Sequence, residues 1–437
     1  MKAMAASYDW LKVSRQNFVS RLWIVLPVAL SQILQRLFHV VDNRFVGLLG
    51  NDALLLHNVQ YTFVVFGQLM GAATATSALV FWSRKETEHA KRSLLNRHLM
   101  TSAGLGIFFW ALFASLAQPI FSHFSVAPAL YAQGGHLYFL IGLTNMALQG
   151  VYGTIDGCLI ASGKQKVTFV LSAIQVTLNA ISDYAAVSYF HSTGRLDIAL
   201  VIVGVSTSFI LLIALVCGYA VARKQATGSE TVAVKMIFPV LRAEVMVGLL
   251  RACVPLVAAW IFARIEGSAN FLVTHNLALH LSYLFCLPLL ASAQVAVKDA
   301  SADYLAPDWK SGLFYTGILP TTALLIMAAI IGGPLIGWAY GFQVPKDHLP
   351  YLTLFFVACA VGQIANALAV PLRAQKKSFL ITRHFAISEY GVWLGGMALL
   401  VLSHRATPST IGLATILFAG TFLTLNLHSV LRLKERK

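Results

Sequence analysis

Long apolar runs separated by short polar interruptions recur from residue 20 to the end of the chain. They fall at about 20–46, 53–82, 98–121, 136–162, 167–191, 197–222, 245–266, 271–297, 311–339, 351–372, 378–402 and 411–431. A helix needs about 20 predominantly apolar residues to cross a bilayer core, and each run supplies them. A barrel strand would instead show about ten residues of alternating polarity, which these runs do not. The pattern predicts an all-α polytopic membrane protein with twelve transmembrane helices. Runs well over 20 residues imply tilt or helices that protrude beyond the lipid.

The longest polar interruption, 223–244, falls at mid-chain. It divides the sequence into an N-terminal lobe, 1–222, with spans one to six, a cytoplasmic linker, 223–244, and a C-terminal lobe, 245–437, with spans seven to twelve. Weak self-similarity links the lobes. Pro27 in span one has a counterpart in Pro255 of span seven, and His57-Asn58 recurs as His275-Asn276. Leu159-x-Ala161-x-x-Lys164 recurs as Leu372-x-Ala374-x-x-Lys377, each time at the end of the fourth span of its half. With six spans apiece, the halves are expected to be parallel pseudo-repeats, an architecture in which substrate binds between lobes that rock.

Composition agrees: 58% of residues are hydrophobic, 11% are charged and the mean hydropathy is +0.73, against about 25% charged residues in a soluble domain. The formal charge of +15 would suggest nucleic acid, but its distribution argues for topology instead. With the N-terminus inside, 24 of the 32 Lys and Arg lie in cytoplasmic segments, four in outside loops and four within spans. The positive-inside rule therefore puts both termini in the cytoplasm, and no nucleic-acid partner is expected. The segment from Met1 to Phe18 lacks the apolar run and cleavage site of a signal peptide. The five cysteines sit inside apolar runs without metal spacing and read as small hydrophobes. No Walker loop, HExxH or DDxxD pattern occurs, so neither an enzyme nor an ATP-driven pump is expected, and no cofactor beyond a coupling H+ or Na+.

Five carboxylates lie within spans: Asp42, Asp156, Asp183, Glu266 and Glu389. An ionised acid at membrane depth is costly and usually marks an ion or proton path. Asn179 and Asp183 are four residues apart on span five and share a face. Spans one and five both run outward, which places Asp42 and Asp183 in the outer half of the membrane, where they can meet. Two acids in a dry cavity cannot both ionise freely, so such a pair holds a proton or a small hard cation. Pro27, which removes a helix hydrogen bond, is the candidate hinge, and Thr207, with Ser206 and Ser208, a candidate extra oxygen. Pairing with Arg36 is the competing structural reading for the acids. Arg36, Asp156, Glu266 and Glu389 are candidate substrate or gate contacts. The plainer readings are a helix cap for Asp156 and neutral pairs for Glu266 with Arg264 and Glu389 with Arg383. Trp82, Trp110, Trp338 and Trp393 are expected to anchor span ends at the membrane interface.

Span one, from Pro27 through Val41-Asp42 to Phe45-Val46-Gly47-x-x-Gly50, and the run Gly157-x-Leu159-x-Ala161-x-Gly163 followed by Asn179-x-x-x-Asp183 resemble the multidrug and toxic compound extrusion (MATE) transporters of the MOP superfamily, most of all their DinF-like branch. The resemblance implies a V-shaped bundle and a cation site at Asp42, Asn179 and Asp183. It also implies export of small drug-like or metabolite compounds by alternating access, in exchange for protons or sodium ions. The expected setting is the bacterial inner membrane, with the chain a monomer among lipids. A lipid or lipid-linked oligosaccharide flippase of the same superfamily is the alternative. The sequence departs from the family pattern in three places: span ten has no acid, Glu266 stands about one turn late in span seven, and Gln375 is taken to occupy the place of the glycine in the second-half turn.

Overall fold

A computed structural model describes residues 15–49, 51–123, 131–193, 195–228, 230–231, 234–262, 268–304, 308–340 and 343–435. These residues form helices and no strands. The long helices are α1 Arg15–Gly47, α2 Asn51–Trp82, α3 Lys91–Ser115, α4 His136–Ala161, α5 Gln165–Thr193 and α6 Leu196–Gln225. They continue with α7 Val234–Phe262, α8 Ser268–Ala302, α9 Leu319–Tyr340, α10 Leu349–Ala374, α11 Ser378–Leu402 and α12 Pro408–Glu435. Among the described residues, eight helices are long and apolar enough to cross a membrane. The chain is thus an all-helical, multi-pass membrane protein, as its hydropathy pattern requires.

Several boundaries differ from expectation for identifiable reasons. Helix α7 begins at Val234, inside the segment expected as linker. Ile237, Val240, Leu241, Ala243 and Val247 are buried at helical spacing, and Glu244 is buried with them, held by Arg373, so the charged residues here interrupt a helix rather than mark a loop. Helix α3 begins at Lys91 rather than about residue 98, because Leu94, Leu95, His98 and Ser102 are buried between its basic residues. Trp82 and Trp393 are buried, and the Trp393 indole N–H donates to Thr415 Oγ1 at 3.0 Å; they are core residues, not interface anchors. Trp338, 85% exposed, keeps the character of an anchor.

The chain divides into two compact units, Leu30–Leu241 and Met1–Ala29 with Arg242–Lys437. The division falls within α1, just past Pro27, although α1 itself is one continuous helix. In the unit Leu30–Leu241, α2 packs closely on α4 through glycines. A Cβ on Gly67 would lie 2.1 Å from the Met146 carbonyl oxygen, and one on Gly153 would lie 2.5 Å from the Gly71 Cα. Small residues of this kind let membrane helices approach backbone to backbone. The chain after α6 folds back on the same unit, with the Glu230 N–H donating to the His89 carbonyl at 3.1 Å. In the other unit, Phe271, Leu325, Tyr351, Phe356, Trp393, Met397 and Ile411 form the core between α8, α9, α10, α11 and α12. Arg21 donates to Asp299, which sets the start of α1 and the end of α8 at one end of that unit.

The two units share local devices. His57 Nδ1 meets the Tyr138 hydroxyl at 2.6 Å, and His275 Nδ1 meets the Tyr351 hydroxyl at 2.5 Å, all four residues being buried. Helices α4 and α10 end in the same turn. The Lys164 N–H donates to the Leu159 carbonyl and the Lys377 N–H to the Leu372 carbonyl, both at 2.8 Å. This six-to-one bond closes a Schellman cap and puts the preceding residue in the left-handed region. That residue is Gly163 (φ +73°) in the first turn and Lys376 (φ +59°) in the second. Gln375, with φ −89°, is therefore not the counterpart of the glycine.

Candidate functional site

Helix α5 presents Asn179 and Asp183 on one face, and α1 and α6 close over it. The Asn179 amide Nδ2 donates to Asp42 Oδ1 on α1 at 2.5 Å and to Asp183 Oδ2 at 2.9 Å. On the other side, the Thr207 hydroxyl of α6 reaches Asn179 Oδ1 at 2.8 Å and the Val203 carbonyl at 2.9 Å. An amide has one acceptor oxygen and two donor hydrogens, so a donor at its oxygen turns both hydrogens toward the acids. All four side chains are buried, Asp183 at 0% exposure and Asp42 at 6%. They belong to the unit Leu30–Leu241.

The charge balance of the cluster is its chemical content. Among the described side chains, the groups acting on Asp42 are Asp183 and Asn179, and those acting on Asp183 are Asp42 and Asn179; no lysine or arginine is among these. Tyr138, hydrogen-bonded to His57, lies within electrostatic reach of both acids. Asp183 Oδ1 is buried without a hydrogen-bond partner. Two uncompensated carboxylates in a low-dielectric interior cost several kcal/mol. A proton or small cation at this place removes that cost, and the free Oδ1 is an acceptor ready for it. The donor set is hard oxygen, which suits H+ or Na+ rather than a soft metal.

The other sequence candidates are placed differently. Glu389 is buried on α11, where residues Ala386–Leu394 form a π-helical segment. It faces Arg251 of α7, not Arg383, which is exposed. Arg251 donates to Asn366 Oδ1 at 2.9 Å and lies over the Phe385 ring, 5.1 Å from its centroid. Asp156 lies within α4, which ends at Ala161, so it does not cap that helix. The side chain of Arg36 and the residues Arg264 and Glu266 lie outside those described. Ser208 donates to Asn145 Oδ1 at 2.6 Å rather than to the acids. Sequence reasoning missed Tyr138; the repeated His-Asn pair drew notice to His57 but carried no sign of its partner.

The MatE family model matches residues 27–185, which include the first-span acid and the α5 pair. Solved structures match along nearly the whole chain. A mutant of VcmN, a MATE transporter of Vibrio cholerae, is similar at 15% identity with a TM-score of 0.76, over 95% of this chain and 97% of that one. A MOP superfamily transporter from Pyrococcus furiosus, described as having a binding pocket of reversed polarity, is similar at 14% identity and TM-score 0.74, over 97% and 98%. A multidrug resistance MATE family transporter in an outward-facing conformation gives 13% identity and TM-score 0.73, over 98% of each. No curated protein matches the sequence. The fold is that of the MATE transporters, and the family found is the one that the span-one and span-five residues resemble.

Proposed function

We propose that this protein is a secondary active transporter that exports small organic compounds by alternating access and is driven by inward movement of protons or sodium ions. The observation that carries the reading is the pair of buried acids, Asp42 and Asp183, bridged by the Asn179 amide and without a basic partner among the described side chains. Such a pair holds one positive charge when loaded and two repelling negatives when empty. Loading therefore changes the packing of α1 against α5, and Pro27 gives α1 a place to bend. Thr207 orients the amide. The proposed setting is a bacterial inner membrane with both termini cytoplasmic, with drug-like or metabolite compounds as substrates and no other cofactor.

The flippase alternative calls for a basic cavity able to hold a lipid-linked anion. Two of the arginines in the second unit are already engaged, Arg373 by Glu244 at 3.0 and 3.2 Å and Arg251 by Asn366, which favours the exporter. The test is exchange in vesicles containing the purified protein, with imposed proton or sodium gradients and a panel of organic cations. Asp42→Asn and Asp183→Asn are expected to abolish gradient-driven movement. Undiminished transport with an unchanged ion response removes the reading.

A further inference from the structure

The same face of α5 that carries Asp183 and Asn179 stays polar along the rest of the helix. Gln175, Ser172, Thr168 and Gln165 follow at helical spacing. Ser172 and Thr168 are buried at 0% and 1%, Gln175 at 7%. A membrane helix has no general use for an unbroken polar stripe inside its bundle, and each buried polar atom without a partner carries its full desolvation cost. Here Gln165 Oε1, Thr168 Oγ1, the Tyr152 hydroxyl and Asp156 Oδ1 stand without a close hydrogen bond, Thr168 being near enough to act on Asp156 and Ser172 on Tyr152. They cluster on the stripe and on the part of α4 that meets it. Tyr152 of α4 faces Ser172, and Asp156 faces Thr168. Ser172 also meets Ser31 of α1 at 2.7 Å.

Asp156 does not cap α4, and Thr168 of α5 is the side chain that meets it. It lies inside the last turns of α4, where a carboxylate opposes the helix dipole, and the cap is made by other atoms. The ionisable groups it acts on or meets are Tyr152 and Cys158, both on its own helix; Thr168 and Ser172 of α5 and Ser31 of α1 carry no charge. We propose that the polar face of α5 is a hydrated access path joining the Asp42–Asp183 pair to the inner end of the unit, and that Asp156 is a second proton- or cation-accepting group along it. Water between Tyr152, Asp156, Thr168 and Ser172 supplies the missing hydrogen bonds. Asp156 takes the coupling ion handed down from the outer acids and passes it to the cytoplasmic side. The proposal rests on the coupling reading of Asp42 and Asp183 for its direction, but the hydrated path does not depend on it.

Two measurements on the full chain, neither needing a known substrate, test it. In inside-out vesicles, Thr168→Cys and Ser172→Cys are exposed to a charged, membrane-impermeant methanethiosulfonate reagent, with Leu171→Cys, a buried apolar neighbour at the same depth, as the reference. Thiols react as thiolates, which need water to form, so the stripe positions are expected to react about tenfold faster than Leu171→Cys or more. Equal rates overturn the path. In infrared spectra of the purified chain recorded through a pH titration, the wild type is expected to show a titrating carboxyl band that Asp156→Asn lacks and that Thr168→Val shifts. If Asp156→Asn loses no such band, Asp156 does not exchange protons with water and its role falls. Asp42→Asn in the gradient-driven assay reads coupling alone. Undiminished gradient-driven movement in Asp42→Asn, with labelling and titration as expected, removes the transport reading and leaves the path standing.

Discussion

The two units solve the problem of buried charge in opposite ways. In Leu30–Leu241, Asp42 and Asp183 share one neutral amide and meet no cation among the described side chains. In the other unit a buried acid is paired directly with an arginine. Glu244 receives two hydrogen bonds from Arg373, and Glu389 faces Arg251. Yet the scaffolds repeat, down to the His–Tyr pair and the Schellman turn. A common frame therefore carries a pair of acids bridged by an amide in one unit and an acid–arginine pair in the other. The difference teaches where an ion can be gained or lost at low cost: where the resting site already lacks a positive charge.

The sharpest way to break this comparison is to remove one charge from each unit. Arg373→Ala leaves Glu244, 3% exposed, buried without its partner, and breaking a buried pair costs about 3–5 kcal/mol. Arg373→Ala is expected to lower the unfolding temperature in detergent sharply, whereas Asp42→Asn, which removes an acid with no cation to strand, holds or raises it. A large loss of stability in Asp42→Asn would mean that the first unit hides a compensating charge.

A second contrast lies in helix packing. Gly67, Gly71 and Gly153 bring α2 and α4 together in the first unit, whereas the α8–α10 contact of the second is filled by large side chains such as Phe271, Tyr351 and Phe355. Gly67→Ala drives a methyl into the Met146 carbonyl, and overpacking of this kind costs about 1–3 kcal/mol. Thermal unfolding of the purified variant checks it, and an unchanged midpoint means the helices separate freely. Truncating Phe355 in the second unit opens a cavity instead, so the two units are expected to fail by opposite routes.

The His–Tyr pairs mark where the units should agree. His57→Phe and His275→Phe each remove a buried hydrogen bond worth about 1 kcal/mol, and the two variants are expected to lose stability about equally. If His57→Phe also slows gradient-driven transport while His275→Phe does not, Tyr138 takes part in the ion site beside it.

The length and number of the spans were legible because membrane burial imposes one long apolar run per crossing, and the i,i+4 spacing of Asn179 and Asp183 was legible because helix geometry is local. What could not be read depends on contacts distant in sequence. The start of α7 is hidden because Lys235, Arg242 and Glu244 interrupt an apolar face that only its neighbours reveal. Trp82 and Trp393 look like anchors until the surrounding helices bury them. Tyr138 has no pattern of its own, since its meaning comes from His57 across the unit. That Arg251 of α7 rather than the exposed Arg383 lies within electrostatic reach of Glu389 has no signature in either helix.

The smallest test concerns the two equivalent turns. Gly163 and Lys376 occupy the same left-handed position, with φ +73° and +59°, and the same pair of backbone bonds closes each turn. A side chain in that region costs about 1 kcal/mol relative to glycine. Lys376→Gly removes that strain from the second unit, and Gly163→Ala introduces it into the first. The offset is the greater freedom glycine gives the unfolded chain, itself about 0.4–1 kcal/mol, so the gain from Lys376→Gly is expected to be a few tenths of a kcal/mol. Gly163→Ala has the opposite sign. Equal and opposite shifts in unfolding midpoint would show that the turns are energetically as well as geometrically equivalent. A loss of stability in Lys376→Gly would instead mean that the contacts of the lysine side chain outweigh its backbone strain, and the repeat would be one of shape alone.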